Sequence, residues 1–132
     1  MAVAAKTEPH WKEQPDSHDY PAAASYLSLL MPPAQAKRLS DRLRKMAIQH
    51  YKAKDLLRAS GLPLLDAHNA HVAADLAKVR RGNLLSPVLL IRGNLNARTP
   101  LTVADGYHRI CASYHLDEDA DIPCRVSELP RA

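Results

Sequence analysis

Leu101-Thr102-Val103-Ala104-Asp105-Gly106-Tyr107-His108-Arg109-Ile110-Cys111-Ala112-Ser113-Tyr114 reads as an apolar strand that runs into Asp-Gly and straight on into a helix. The first N–H groups of a helix have no partner within it, and the helix dipole adds partial positive charge there. A glycine lets a ligand come close to the backbone. An arginine in the first turn offers a planar fork of donors that matches phosphate oxygens. Asp105, Gly106, Tyr107, His108 and Arg109 are therefore the candidate phosphate-binding residues of this chain.

Working outward, Val88 to Ile91 is a continuous apolar run of strand length, which predicts burial on both faces. Gly93 to Thr99 is a polar loop, and Pro100 to Ala104 is the next strand. Tyr107 to His115 follows as a helix, and Ile122 to Ser127 as a third strand. Strand, helix and strand in this order predict a crossover and a small mixed sheet. Upstream, Tyr20 to Met31 reads as a helix capped by Asp19, with Tyr26, Leu27, Leu29 and Leu30 as its apolar side. About Pro33 to His50 reads as a second helix, buried through Leu39, Leu43, Met46 and Ile48. A short helix over Lys54 to Ser60 closes at Gly61, and a strand can precede it near Ile48 to Ala53. Ala70 to Arg81 is a strong helix through Val72, Leu76 and Val79. The fold class is α/β (α+β), a small mixed sheet with helices. Its parts are a flexible tail over 1–17, an N-terminal helical extension over 18–50 and the sheet-bearing domain over 51–132.

The chain has 132 residues, 46% apolar, with a net charge of +4. That is enough for one domain with a real core. No run reaches the ~18 apolar residues of a membrane span, and the N-terminus has no apolar leader. Cys111 and Cys124 read as reduced thiols, which fits a cytoplasmic protein. With no Phe and a single Trp, a surface built to stack exposed bases is not expected. The basic run Lys37, Arg38, Arg42, Arg44 and Lys45 reads as a solvated helix face, with a nucleic-acid face as the alternative.

The element order resembles that of the ParB/sulfiredoxin superfamily over about Tyr51 to Leu129. The resemblance is sharpest in Gly82-x4-Pro87-Val88-Leu89-Leu90-Ile91, in Ala104-Asp105-Gly106-Tyr107-His108-Arg109-Ile110-Cys111-Ala112, and in Ile122-Pro123-Cys124-Arg125-Val126. It implies that the Gly-x-His-Arg turn holds nucleotide phosphates. Sulfiredoxin-like enzymes carry a catalytic cysteine where Tyr107 stands, and a phenol is a poor substitute for a thiolate. Sulfinic-acid repair is therefore not implied. The later phosphate motif and helix-turn-helix of chromosome-partitioning members have no counterpart here, so a CTP-operated DNA clamp is not implied either. The branch resembling free serine kinases has an Asp-Gly-His-x-Arg turn, and Asp105 to Arg109 is close to it. That branch needs a carboxylate base, for which Asp55 and Asp66 are the candidates by position.

Asp105 can accept from a ligand hydroxyl, hold Arg109 or cap the helix. Tyr107 can line the pocket, whereas Cys111 and Tyr114 belong to the buried stripe. His68 and His71 share a helix start without a zinc pattern, so no metal site is expected. Arg92 and Arg98 flank the loop before the motif strand and could reach a second phosphate. The functional expectation is a domain that binds a nucleotide or another phosphorylated small molecule, with ATP, ADP or CTP and Mg²⁺ as the ligands to test. A phosphotransferase or nucleotide hydrolase is its enzymatic version. A non-catalytic nucleic-acid binder or a protein-interaction module is the alternative.

Overall fold

The computed structural model describes residues 8–129. Among them are nine elements: α1 (Asp19–Leu27), α2 (Pro33–Leu43), β1 (Ile48–Lys52), α3 (Ala53–Ser60), α4 (Ala70–Arg80), β2 (Val88–Ile91), β3 (Thr102–Asp105), α5 (Tyr107–Leu116) and β4 (Asp121–Ser127). The strands form one mixed sheet in the order β1-β4-β2-β3. β4 runs parallel to β2 and antiparallel to β1, and β3 runs antiparallel to β2. The crossover therefore joins β2 to β4, with β3 and α5 lying between them in sequence. β2 sits between β3 and β4 in the sheet.

The unbroken apolar run of β2 is explained by its place in the sheet. All four of its residues are buried, and alternate side chains face opposite layers. Val88 and Leu90 join Val103, Ile122, Cys124 and Val126 under α3, α4 and α5. Leu89 and Ile91 join Ala104 under α1 and α2. Full burial of each such side chain contributes about 1.5–3 kcal/mol. Pro123 lies ahead of Cys124, the first β4 residue in register with β2, so on that side it interrupts no ladder.

The N-terminal helices are thus not an extension. They cover the second face of the sheet. Tyr20, Ala23 and Leu27 are the buried side of α1, and Leu29 is 82% exposed. Ser40 Oγ donates to the Tyr20 carbonyl at 2.7 Å, locking α1 to α2. Arg125 on β4 donates to the carbonyl of Arg44 at the C-terminal end of α2. The helix predicted to continue to His50 stops at Leu43, because Ile48–Lys52 is taken into the ladder with β4.

The predicted tail is also revised where it is described. His10 and Lys12 exchange backbone hydrogen bonds with Leu85, both at 2.8 Å. Trp11, partly buried, packs against the core beneath α3, α4 and α5. Asp16 N–H donates to Ser86 Oγ at 2.9 Å. Residues 1–7 lie outside the described residues.

Candidate functional site: the turn from β3 to α5

β3 delivers Asp105 to the end of the sheet, and Gly106 turns the chain into α5 with φ +112°. A Cβ at Gly106 would lie 2.4 Å from Val88 Cγ1 and 2.9 Å from an Arg109 nitrogen. Only glycine accepts both the dihedral and the contact. Its immediate role is close packing of the turn on β2. Gly106 caps α5 without a side-chain acceptor, and the first α5 amide bonded to the turn is Ile110 N–H, to the Gly106 carbonyl. The N–H groups of Tyr107, His108 and Arg109 thus remain without an acceptor among the described residues.

The arginine fork is engaged by the protein itself. One Arg109 nitrogen donates to Asp105 Oδ2 at 2.7 Å, and the other donates to Asp19 Oδ2 at 3.2 Å. Asp105 thus holds Arg109 rather than capping α5, and Asp19 does the same from α1 rather than capping its own helix. Asp19 is only 4% exposed. It also accepts from Ser86 Oγ at 2.5 Å, and its other oxygen lies 3.3 Å from His18 Nε2. One half-buried cation with two carboxylates therefore staples the turn to α1. Burial pushes the Asp105 carboxyl above its ordinary 3.8, and the shared guanidinium offsets part of that rise.

A polar cleft of about 670 Å³ opens beside this staple. Asp105, Gly106, His108 and Arg109 line it, together with His71 and Asp75 from α4. The imidazoles of His71 and His108 face each other with centroids 4.7 Å apart. Burial and the His71 charge hold His108 below its ordinary 6.5. Burial raises the half-buried Asp75 carboxyl above its ordinary 3.8. Lys12 and Lys78 bring ammonium groups, each beside an aspartate, Asp16 at 2.7 Å and Asp75 at 3.9 Å.

The structure brings four of the five predicted residues into the cleft. Tyr107 points elsewhere: its hydroxyl donates to the Pro63 carbonyl at 2.5 Å, and its ring packs against the core. Asp55 and Asp66, the predicted bases, are also elsewhere. Asp55 pairs with Arg58, and Asp66 accepts from His68 N–H. Asp16, Asp75 and Ser86 are not among the sequence-predicted site residues, and Asp19 reads in the sequence only as a helix cap. His71 and Asp75 stand four residues apart on one helix face, a signal present in the sequence. The approach of Asp19 to a residue 90 positions away leaves no such mark. Asp16, His18 and Asp19 offer three donor atoms within 4.8 Å of one another, a grouping not expected from the histidine spacing. Two carboxylates and an imidazole suit a divalent cation of hard to intermediate character. Compared with known proteins, the chain matches no protein-family model, no curated protein and no solved structure.

Proposed function

We propose that this cleft binds the phosphate group of a nucleotide or another phosphorylated small molecule. The observation that carries the reading is the pair of amides of His108 and Arg109, which have no acceptor among the described residues and belong to two residues that line an open, polar cleft. The resemblance of the Asp105–Arg109 turn to the ParB/sulfiredoxin superfamily supports the same ligand class. Arg109 serves here as the buttress of the turn, and His108 is the side chain placed to donate to a phosphate oxygen. Asp16, His18 and Asp19 are the residues that would hold Mg²⁺ or a similar ion, which supplies charge neutralisation when bound. In a phosphotransferase version of the reading, Asp75 is the base. It lies in the cleft, and burial brings its affinity for protons closer to neutrality.

Calorimetry with inorganic phosphate, ATP, ADP and CTP, each with and without Mg²⁺, tests this directly. Amide shifts confined to residues 107–109 are the expected NMR signature of the bound anion. Absence of heat and of those shifts with all four ligands would overturn the proposal.

A further inference from the structure

A second cavity lies at the opposite end of β3. It measures about 590 Å³ and is floored by Leu56, Leu90, Leu101 and Val126. That is within the roughly 300–1,000 Å³ of small-molecule sites, and so is its chemistry, an apolar body with few polar groups. Its roof is the loop between β2 and β3. The loop is tightly built. Asn94 and Thr99 exchange backbone hydrogen bonds at 2.9 and 3.0 Å, and Asn94 Oδ1 accepts from the amides of Asn96 and Ala97. Gly93 allows the two legs to close, since a Cβ there would lie 2.5 Å from the Thr99 carbonyl oxygen. Leu101 N–H donates to the Ala59 carbonyl at 3.1 Å, tying the loop to α3.

Arg98 sits in this loop at φ +55°, unlike every other non-glycine described residue. Such a conformation disfavours an arginine and is kept when the surroundings fix it. The other charged groups at the rim are matched: Arg92 lies 3.4 Å from Glu128, and Asp55 lies 3.1 Å from Arg58. Arg98 has no carboxylate within 4.0 Å among the described residues. An apolar cavity with one uncompensated guanidinium at its edge matches a ligand with an apolar body and a single negative end. Among the described residues, the one aromatic ring in its wall belongs to Tyr51, whose hydroxyl donates to Gln49 Oε1. Aliphatic chains therefore fit the wall better than stacked rings.

We propose that this cavity is a binding site for a small aliphatic carboxylate, with the chain over Leu90 and Val126 and the carboxylate at Arg98. The site does not depend on the phosphate reading of the other cleft. Octanoate and 1-octanol, titrated separately and followed by amide NMR, test it. Octanoate should move the amides of Ala59, Gly93 and Leu101 saturably and bind about two- to fivefold more tightly than 1-octanol, as befits one exposed ion pair. Arg98→Asn keeps a residue that tolerates the backbone conformation and should remove that preference. Ala59→Trp, with folding checked by circular dichroism, should abolish both titrations by filling the cavity. Failure of octanoate to move these amides would overturn the proposal. Equal affinity for acid and alcohol in the unaltered protein, or an undiminished preference in Arg98→Asn, would do the same.

Discussion

Replacing Asp19 with alanine should destabilise the protein by about 3 kcal/mol, although Asp19 belongs to a helix that the sequence presents as peripheral. The side chains of Asp19, Arg109 and Asp105 are 6%, 15% and 22% exposed. Removing one partner of a buried ion pair costs about 3–5 kcal/mol, because the other charge stays behind without compensation. Arg109 retains Asp105 at 2.7 Å, which places the loss at the low end of that range. The hydroxyl of Ser86 loses an acceptor as well, adding about 1 kcal/mol, while partial exposure of Arg109 returns a similar amount through water. Urea unfolding of Asp19→Ala, Arg109→Met and the double variant measures the coupling directly. A staple predicts that the double variant loses about 1–2 kcal/mol less than the sum of the singles. If the single losses stay within about 0.5 kcal/mol, as for ordinary surface changes, or if they add without coupling, Arg109 is not held as described. It would then be free to act as an anion ligand.

Gly106→Ala should lose about 2–4 kcal/mol in urea, combining backbone strain with the 2.4 Å approach to Val88. Gly106→Ala/Val88→Ala should recover part of that loss, since the contact is then relieved and only the strain remains. Stability should decline as pH falls from 6.5 through the lower folded value of His108, because the unfolded imidazole takes up its proton first. His108→Gln should flatten the denaturation profile in that window, and His71→Ala should move the His108 NMR titration back toward 6.5. Both thiols should resist iodoacetamide at pH 8 in the native protein and react once it is unfolded. Cys124 is buried with its thiol pushed up to about 12, and burial raises Cys111 as well.

The elements that the sequence revealed are those whose signal is local. α4 shows its Val72, Leu76 and Val79 stripe, α3 shows Gly61 in the left-handed conformation at its end, and β2 shows its apolar run. The readings that changed depended on partners distant in sequence. Leu39, Leu43 and Met46 keep a helical period up to the point where β4 captures Ile48–Lys52. Tyr26, Leu29 and Leu30 look like a buried side, yet α1 ends at Leu27 and the chain turns toward Pro32-Pro33. Trp11 gives no periodic signal at all, since it is held by a single bridge to Leu85. At the site, the turn was legible because strand, glycine and helix are contiguous. The identity of Arg109's partners was not, because Asp19 approaches through the packing of α1 on β3.

That packing also determines what the cleft can hold. Asp16, Asp19, Asp75 and Asp105 face three cationic side chains, Lys12, Lys78 and Arg109, and each of those cations already has a carboxylate within 4.0 Å. With the histidines neutral, a phosphate dianion entering alone meets a field dominated by carboxylates, and the α5 dipole offers only about half a charge in return. Two things can reverse that balance. One is a divalent cation, which Asp16, His18 and Asp19 would hold and which would supply positive charge against these aspartates. The other is protonation of His108, which burial and His71 hold below 6.5. On the phosphate reading, affinity for the anion should therefore be linked to Mg²⁺ at neutral pH and become less dependent on it as the pH falls through the His108 value. A simple anion pocket built around a free arginine would show neither linkage.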